Sequence, residues 1–426
     1  MSRIGSQGGS VKDGTIAVVG ASAAGISAAE TLRAEGFGGS LVVIGDEPHL
    51  PYERPPLSKQ VLTGEWGEDR LAMRDAEALA RCGIDMRLGV RATGLDVGAR
   101  RLTLDDGGRV EFDGLLIATG VRSRTLTGAE GLSGVHTLRT LDDVTALRER
   151  LSTRETLAVI GSGPLGMEVA ASLAQSASHE VSVVTDETTP MERVFGAEVG
   201  RVLGGIHQRM GVTLHTGQTV AGLERTAGEA SAIRLADGTK ILADTVLVAI
   251  GSAPNTEWLD GSGLPVRDGV ECDAYCAAAP RVYVAGDVAN RRSATGGRGV
   301  RMEHRMNATE QGAAAARNLL SEIRGTNGSR AVYTPVPYFW SDQYALKPQA
   351  HGILRGAERV EIVYQDLGSA DRPRVAALYV CRGLVTGVLG IRIPPRILRA
   401  LRELIVVPKP LGAVRSQADY VLSAMG

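Results

Sequence analysis

Apolar residues near the start of the chain form two short runs separated by a helical stretch. Residues 15–19 are the first run, the glycine-containing loop of residues 20–25 follows, and a helix is predicted through Leu32 and Arg33. The second run, residues 41–44, ends one residue before two acidic side chains. This order of strand, loop, helix and strand predicts a βαβ unit of about thirty residues, the length of half a dinucleotide-binding fold.

The same order of elements returns in the middle of the chain. An apolar run at residues 157–160 leads into the loop of residues 161–166, and a helix is predicted through Leu173. A further apolar run covers residues 181–184. Two βαβ units in one chain predict two bound dinucleotides.

Other apolar runs end in glycine at comparable places. Residues 115–120, 246–251 and 282–286 each stop in a turn of small residues. The Asp- and Gly-containing stretches at residues 105–108 and 237–238 predict hairpin turns between alternating strands. Each half is therefore predicted to contain a nucleotide-binding βαβ unit, then a β-meander, then a strand that ends in glycine.

The last part of the chain has a different pattern. Residues 331–426 alternate short apolar strands with turns and contain a helix-like run at residues 395–404. Residues 325–330, which are rich in Gly, Asn and Ser, predict a linker. The predicted fold is α/β, with two Rossmann-like dinucleotide-binding domains and a C-terminal α+β domain. The predicted boundaries are 1–14 for a disordered polar tail, 15–122 with 252–325 for the first domain, 123–251 for the second and 326–426 for the third.

Composition narrows the class of protein. The 426 residues are 43% hydrophobic and 22% charged, with a formal net charge of -1. This profile is typical of a globular protein with no global attraction to nucleic acid or membranes. No apolar run reaches about 18 residues, so no membrane span is expected. The polar residues 1–14 lack the apolar middle of a signal peptide, which favours a cytoplasmic location.

The four cysteines exclude several chemistries. Cys82, Cys272, Cys276 and Cys381 form no CxxC pair and show no zinc or iron–sulfur spacing. We therefore expect structural thiols, no metal site and no redox dithiol of the kind that disulfide reduction requires.

The first glycine loop predicts a pyrophosphate site. Gly20 permits a tight turn, Gly25 allows the helix to approach the strand, and the helix N-terminus offers backbone N–H groups to an anion. Ser22 replaces the usual middle glycine, and it is small enough to keep the approach close. Asp46 or Glu47, about twenty residues on, predicts an acceptor for ribose hydroxyls.

The second glycine loop predicts the site of the other dinucleotide. It has all three glycines, Gly161, Gly163 and Gly166, and Thr185 stands where a ribose-binding acid often lies, directly before Asp186. A hydride donor and a flavin are the natural pair of cofactors.

The charges beside the second loop indicate which hydride donor binds. Asp186 and Glu187 would repel a 2′-phosphate, so NADH is predicted over NADPH. NADPH stays possible, because Arg193 lies within reach on a loop.

A longer motif resembles a known family. Residues 52–59, Tyr-Glu-Arg-Pro-Pro-Leu-Ser-Lys, resemble the signature of the FAD-dependent ferredoxin and rubredoxin reductases that serve oxygenase systems. Residues 118–120, 285–287 and 338–342 match the same family in the same order. The resemblance covers residues 15–426. It implies FAD at the first loop, NADH at the second, and hydride transfer followed by single-electron transfer to a small acidic [2Fe-2S] ferredoxin.

The resemblance also implies roles for individual residues. Lys59 and Glu168 match residues beside the flavin and the nicotinamide, and are the candidate catalytic residues. The predicted FAD contacts are Gly20, Ser22, Ala23, Ala24, Gly25, Asp46, Glu47, Arg54, Lys59, Ala92, Ala118, Thr119, Gly120, Arg139, Gly286, Asp287 and Arg305. The predicted NADH contacts are Gly161, Gly163, Leu165, Gly166, Asp186 and Gly251.

One position departs from the family pattern. Arg305 stands where the family often has Trp or another apolar residue, so a cation is expected near the flavin edge. Arginines crowd the neighbouring stretch, which predicts either a docking face for an acidic ferredoxin or a solvated loop. These arginines are Arg291, Arg292, Arg298, Arg301 and Arg305.

Duller interpretations and two other functions remain open. Lys59 and Glu168 could be ordinary surface charges, and residues 338–340 could be plain core. A flavin-dependent NADH oxidase or peroxide reductase would need a redox cysteine in the first domain, yet no cysteine precedes Cys82. A non-enzymatic flavoprotein of the apoptosis-inducing type would need a basic surface, which the net charge opposes.

Overall fold

The fold is that of a computed structural model. It describes residues 14–129, 131–176, 178–226, 228–292, 299–368 and 372–425. Residues 1–13 of the predicted tail, and Arg298 of the arginine stretch, lie outside these ranges.

The described chain contains eight α-helices. They are α1 (Ala23–Ala34), α2 (Ala76–Arg81), α3 (Leu141–Leu151), α4 (Pro164–Ala174), α5 (Glu192–Arg209), α6 (Arg305–Ile323), α7 (Pro395–Glu403) and α8 (Leu411–Ser423).

The described strands follow in chain order. They are β1 (Thr15–Val19), β2 (Ser40–Gly45), β3 (Ile84–Leu88), β4 (Ala92–Asp96), β5 (Arg101–Leu104), β6 (Arg109–Glu111), β7 (Gly114–Ile117), β8 (Val121–Ser123), β9 (Val135–His136), β10 (Thr156–Ile160), β11 (Glu180–Val184), β12 (Thr213–His215), β13 (Val220–Thr226), β14 (Glu229–Leu235), β15 (Lys240–Leu242), β16 (Thr245–Val248), β17 (Ser252–Pro254), β18 (Val266–Arg267), β19 (Gly269–Cys272), β20 (Ala277–Ala279), β21 (Val282–Val284), β22 (Ala289–Arg291), β23 (Val300–Arg301), β24 (Tyr338–Trp340), β25 (Pro348–Gly352), β26 (Arg359–Asp366), β27 (Arg374–Cys381), β28 (Leu384–Ile391) and β29 (Lys409–Pro410).

The chain divides into two compact units. Unit 1 consists of Met1–Glu53, Ala72–Val121 and Pro254–Thr334. Unit 2 consists of Arg54–Leu71, Arg122–Ala253 and Pro335–Gly426. Each unit combines segments of more than one domain predicted from the sequence, and the three-domain division stays a prediction.

Unit 1 is built around a mostly parallel sheet in the order β20-β21-β7-β1-β2-β3. Alternate side chains of β1 point to opposite faces, so Ile16 and Val18 join one apolar core while Ala17 and Val19 join the other. Burial of both faces explains why the sequence shows a continuous apolar run. Helices α1 and α6 cover the face that carries Ile16 and Val18.

The two largest sheets of unit 2 are a parallel one and an antiparallel one. The parallel sheet has the order β12-β11-β10-β16-β9, and its strand β10 pairs with β11 and β16 in parallel as β1 pairs with β2 and β7. The antiparallel sheet has the order β24-β25-β28-β27-β26, with β29 beside β28. Helices α7 and α8 pack on it through Leu398, Leu401 and Leu422. The α/β fold predicted from the sequence is confirmed.

One local feature lies within the predicted linker of residues 325–330. Asn327–Ser329 form a 3-10 turn there. The Ser321 hydroxyl donates to the Thr326 carbonyl at 2.6 Å, and the Arg330 guanidinium lies over the Tyr275 ring. The change of unit comes at Thr334 and Pro335.

Candidate functional site

The first glycine loop has the backbone that a dinucleotide requires. Gly20 has φ +117°, and a Cβ there would lie 2.1 Å from the Ala118 carbonyl oxygen. A Cβ on Gly25 would lie 1.8 Å from the Gly20 oxygen, so helix α1 meets the loop more closely than a larger residue allows. The Gly20 N–H donates to the Ile44 carbonyl at 2.7 Å, which ties the loop to the end of β2.

The N-terminus of α1 is open to an anion. Ser22 is the N-cap residue, and its hydroxyl makes no cap hydrogen bond within the described residues. The first turn consists of Ala23, Ala24 and Gly25, so neither a cap nor a carboxylate competes for the backbone N–H groups. These residues fit the pyrophosphate of FAD.

The second glycine loop repeats this geometry in unit 2. Gly161 has φ +106°, and a Cβ there would lie 2.3 Å from the Ala249 oxygen. Gly163 is the N-cap of α4, whose first turn holds Leu165 and Gly166 after a proline. Gly251, with φ +97°, follows the neighbouring strand β16. The loop fits a second pyrophosphate as well as the first fits its own.

The acidic pair after β2 lies at the edge of the sheet that carries the first loop. Asp46 is exposed, and its carboxylate lies 3.8 Å from the Arg91 guanidinium. The Glu47 carboxylate instead accepts a hydrogen bond from the Tyr52 hydroxyl. Asp46 is therefore the more accessible acceptor for a ribose hydroxyl.

The turn after β7 is held by a residue that the sequence analysis missed. The Thr119 hydroxyl donates to the Asn255 carbonyl at 2.8 Å, and the Asn255 amide donates back to the Thr119 carbonyl at 2.9 Å. The Asn255 N–H also donates to the Gly120 carbonyl. Asn255 fixes the backbone after Ala118, but its separation from Thr119 in sequence leaves no local signal.

The turn at Gly286 and Asp287 is also held by a missed residue. The Gly286 N–H donates at 3.0 Å to the side-chain oxygen of Gln311, which is buried in α6. Asn307, Gln311 and Asn318 are all buried polar residues of this helix. A buried polar face at helical spacing was a signal that the sequence did carry.

Arg305, at the first position of α6, is paired within unit 1. Its guanidinium Nε lies 2.6 Å from the Glu53 carboxylate, and it also contacts the Thr309 hydroxyl. The cation expected at this position is therefore offset by an acid of the 52–59 motif. The neighbouring His304 caps α6, and burial lowers its pKa to about 4.

The candidate catalytic residues meet in unit 2. The Lys59 ammonium lies 2.7 Å from the Glu168 carboxylate, with side-chain exposures of 12% and 10%. Lys59 directly follows the 3-10 turn Pro55–Ser58, and Glu168 lies in α4, four residues after the first proline of that helix. The alternative that these are ordinary surface charges is excluded by their burial and pairing.

Three further donors contact the Glu168 carboxylate. The Ser58 hydroxyl donates at 2.6 Å, the Ser341 hydroxyl at 2.9 Å and the Asp342 N–H at 3.1 Å. Donation from Lys59, Ser58 and the 341–342 segment satisfies a buried carboxylate, which would otherwise be costly. Ser58 and Ser341 belong to the matched motifs, but their role toward Glu168 was missed.

Two other predicted FAD contacts lie together in unit 2. An Arg54 guanidinium N–H donates to the Arg139 carbonyl at 2.7 Å. The Arg139 N–H donates to Asp143, which forms the capping box of α3 with Thr140. Ala92, in contrast, lies in unit 1 with its side chain in the apolar core. It can offer only backbone to a ligand.

The aromatic stretch of β24 packs within unit 2. Tyr338 and Trp340 stack with ring centroids 5.5 Å apart, and Phe339 meets Phe195 edge to face at 5.7 Å. All three rings of β24 are half-buried. Packing within unit 2 accounts for these contacts.

The end of β11 carries the charges predicted to select the hydride donor. Thr185 is buried, and its hydroxyl is 2.9 Å from that of Ser162 in the glycine loop. Asp186 and Glu187 both contact the Arg193 guanidinium, at 2.8 and 3.0 Å.

Carboxylates offset several of the clustered arginines. Arg292 pairs with Glu271, and Arg301 lies 3.0 Å from Asp268. Arg291 lies over the Tyr333 ring.

All four cysteines lie in the described part of the chain as free thiols, with Cys272 and Cys276 buried. Burial raises the pKa of Cys276 to about 12 and raises that of Cys272 further. Neither thiol is available as a reactive thiolate.

No cluster of three or more His, Cys, Asp or Glu side chains in the described residues could hold a metal ion. Within the same ranges, every helix is too short or too polar to cross a membrane.

Comparison with known proteins agrees with this geometry. The family model described as pyridine nucleotide-disulphide oxidoreductase matches residues 14–312. Rhodocoxin reductase of Rhodococcus erythropolis is 33% identical over 401 residues, which cover 93% of this chain and 90% of the relative. The ferredoxin--NAD(+) reductase component of the biphenyl dioxygenase system of Paraburkholderia xenovorans is 37% identical and covers 97% and 96%.

A solved structure is similar over nearly the whole chain. It is the crystal structure of the covalent putidaredoxin reductase–putidaredoxin complex, with a TM-score of 0.86 and 29% identity. The alignment covers 96% of this chain and 98% of the other. With two dinucleotide loops of one geometry and relatives that match almost end to end, this chain belongs to the pyridine nucleotide-disulphide oxidoreductase family.

Proposed function

We propose that this chain is an FAD-dependent reductase that accepts hydride from NADH and passes single electrons to a small [2Fe-2S] ferredoxin of an oxygenase system. The observation that carries the proposal is the pair of glycine loops, each with an open helix N-terminus. Two such loops in one chain suit a flavin and a nicotinamide donor. Relatives named as ferredoxin--NAD(+) reductase components support the direction of electron flow.

The residues of the chain divide the work of binding. The loop at Gly20 and the N-terminus of α1 bind the FAD pyrophosphate, and Asp46 accepts its adenosine ribose. Asn255 and Gln311 fix the turns at Gly120 and Gly286. When bound, FAD supplies the redox chemistry by accepting a hydride and releasing electrons one at a time.

Lys59 and Glu168 provide the charges of the reaction centre. The Lys59 ammonium is held by Glu168 at 2.7 Å, so its position is fixed before any substrate binds. A fixed cation stabilises negative charge that develops in a reaction. The Glu168 carboxylate offsets the desolvation of Lys59, while the Ser58 and Ser341 hydroxyls orient it.

The electron acceptor lies outside this chain. Its four cysteines lack iron–sulfur spacing, and two of them are buried as free thiols. A one-electron acceptor must therefore be supplied by a partner, which we propose to be a small acidic ferredoxin. The structure of putidaredoxin reductase with its bound partner supports this assignment.

The two buried cysteines also weigh against the competing thiol-dependent function. Disulfide or peroxide reduction by a thiol requires an accessible thiolate beside the flavin. Cys276 and Cys272 are buried, and their raised pKa values keep them protonated.

We propose a cytoplasmic location, which the free thiols of the chain support.

The experiment that tests the function is reduction of the purified protein by NADH in a stopped-flow instrument, followed by addition of candidate ferredoxins. We expect heat-releasable FAD, one per chain, bleaching by NADH, and ferredoxin-dependent reduction of cytochrome c. Bleaching without electron transfer to any ferredoxin, but with stoichiometric peroxide, would favour the oxidase. Absence of flavin would contradict the proposal.

A further inference from the structure

A short segment beside the second glycine loop contains three charged groups in direct contact. The Arg193 guanidinium donates to both oxygens of the Asp186 carboxylate, at 2.8 and 3.0 Å. The same guanidinium donates to Glu187 at 3.0 Å. The cluster has one positive and two negative charges, and hydrogen bonding to Arg193 lowers the pKa of Asp186.

This cluster lies where an adenosine ribose is expected. Thr185 directly follows strand β11, and its hydroxyl is hydrogen-bonded to the Ser162 hydroxyl of the loop. The Met191 N–H, two residues before Arg193, donates to the Ser162 carbonyl at 3.0 Å. Two hydrogen bonds to Ser162, one with Thr185 and one from Met191, therefore hold the segment that carries Asp186 and Arg193 beside the glycine loop.

Thr185 cannot replace the acidic residue that usually accepts the ribose hydroxyl at this position. Its hydroxyl is buried and is occupied by Ser162 and by the Glu187 N–H. The Asp186 and Arg193 side chains, in contrast, are 51% and 68% exposed. They are the groups that a ribose 2′ substituent would meet first.

We propose that Asp186 and Arg193 form a pair that decides between NADH and NADPH, in which Asp186 accepts the ribose 2′-hydroxyl and also occupies an arginine that would otherwise bind a 2′-phosphate. Arginine binds phosphate and carboxylate with the same forked geometry, so the two compete for one guanidinium. Selectivity for NADH then comes from occupation of the cation as well as from repulsion. This inference rests on the proposed function, because it assigns the second loop to the nicotinamide dinucleotide.

The test measures binding of adenosine fragments, which does not depend on the flavin. ADP-ribose and 2′-phospho-ADP-ribose are titrated calorimetrically into the full chain. The variants are Asp186→Ser, Asp186→Asn, Arg193→Leu and the double change Asp186→Ser with Arg193→Leu. Arg201→Leu, an exposed arginine of the same helix, is the matched control.

The expected results differ among the variants. Asp186→Ser should bind 2′-phospho-ADP-ribose about tenfold more tightly than the parent, as one charge-assisted hydrogen-bond set allows. Asp186→Asn should show part of this gain in affinity. The double variant, which also lacks the Arg193 guanidinium, should show no gain. The ratio of kcat/KM for NADPH over NADH should follow the same order. Arg201→Leu should leave both affinities at the parent values.

The possible failures are distinguishable. A gain that survives in the double variant, or no gain in either Asp186 variant, overturns the pair while ADP-ribose binding still supports the nucleotide site. If the parent chain binds neither fragment nor NADH, the proposed function itself fails. Equal thermal midpoints for all variants establish that each is folded.

Discussion

At the scale of single residues, the buried Glu168 carboxylate is held in place by four hydrogen-bond donors. Its two oxygens accept from Lys59, Ser58, Ser341 and Asp342, all within 3.1 Å. A carboxylate with this many donors keeps one orientation. The ammonium that it holds is therefore fixed as well, which is what electrostatic stabilisation requires.

The first prediction concerns Lys59. Lys59→Met should slow reduction of the bound flavin by NADH by about a hundredfold, because one fixed cation is lost from the reaction centre. Stopped-flow absorbance measures the rate, and the FAD content should stay at one per chain. Lys240→Met, which removes an exposed lysine paired with Glu224, should change neither. An unchanged rate in Lys59→Met would remove this residue from the mechanism.

A buried histidine makes stability depend on pH. His207 Nε2 donates to the Gln343 side chain, and its Nδ1 accepts from the Tyr344 hydroxyl, both at 2.9 Å. Burial lowers the pKa of His207 to about 4. Between pH 6.5 and 4 the unfolded chain therefore binds a proton that the folded chain excludes, so stability falls as the pH falls.

The second prediction follows from that sign. The free energy of unfolding in urea should be fully retained above pH 6.5 and should drop by up to about 3 kcal/mol by pH 4 on account of His207. His207→Gln should make the decline shallower, whatever its stability at pH 7.5. His215→Gln, at a half-exposed site in β12, is the control. Parallel pH profiles for the parent and His207→Gln would refute this assignment.

At the scale of elements, helix α5 contains a kink with a clear cause. Gly196 has φ +82° inside the helix, and a Cβ there would lie 2.7 Å from a Val360 methyl group. The Tyr379 hydroxyl donates at 2.7 Å to the Phe195 carbonyl, which immediately precedes the kink. Glycine permits the turn and tyrosine bonds the adjoining carbonyl group.

The third prediction compares two glycines of this helix. Gly196→Ala should cost at least 1–2 kcal/mol, because it adds left-handed strain and a clash. Gly205→Ala should be neutral or stabilising by about 0.5–1 kcal/mol, since Gly205 has ordinary helical geometry and faces only a flexible arginine tip. Thermal denaturation of both variants measures the difference. Equal midpoints would mean that the kink is not required.

Local patterns and long-range contacts were not equally predictable. The strands beside Gly20 and Gly161 followed from their apolar runs, and helix α7 ends one residue before its predicted end. Asn255 and Ser341 were missed because they act on residues more than 130 positions away. The 3-10 turn within the predicted linker was also missed, because Ser321 and Arg330 hold this segment through side-chain contacts that no local pattern reveals.

At the scale of the whole molecule, the net charge of -1 leaves partner recognition to local clusters. Arg292, Arg301 and Arg305 are each paired with a carboxylate, which weakens the field of the arginine stretch. Helix α7 presents a second basic cluster, with Arg396 and Arg399 exposed. Both surfaces could attract an acidic ferredoxin.

The fourth prediction decides between these surfaces. The test variant combines Arg291→Glu with Arg292→Gln. Arg292 is replaced by Gln because a second carboxylate there would face its present partner, Glu271. This variant should raise the apparent KM for ferredoxin about tenfold at low salt. Reduction of ferricyanide by NADH should be unchanged. The comparison variant is Arg396→Glu with Arg399→Glu. If the apparent KM for ferredoxin rises only in the α7 variant, docking occurs on the C-terminal sheet and helices.

Raising the ionic strength gives an independent check of the same prediction. Exposed charges are screened beyond roughly 10 Å at ordinary salt. Ferredoxin-dependent cytochrome c reduction should therefore fall as salt rises, while ferricyanide reduction stays nearly constant. A flat salt profile would mean that neither basic cluster steers the partner.

The order of segments in unit 1 has a consequence for synthesis of the protein. Strand β1 and helix α1 leave the ribosome well before helix α6, yet Ile26 and Leu32 of α1 pack against Ala315 and Leu319 of α6. At about 5–20 residues per second, α6 follows α1 after roughly 15–60 s. Meanwhile the sheet beside the second glycine loop is completed within residues 135–248. The middle of the nascent chain can therefore mature before its beginning, and the apolar face of α1 needs a temporary cover, such as a chaperone, until α6 arrives.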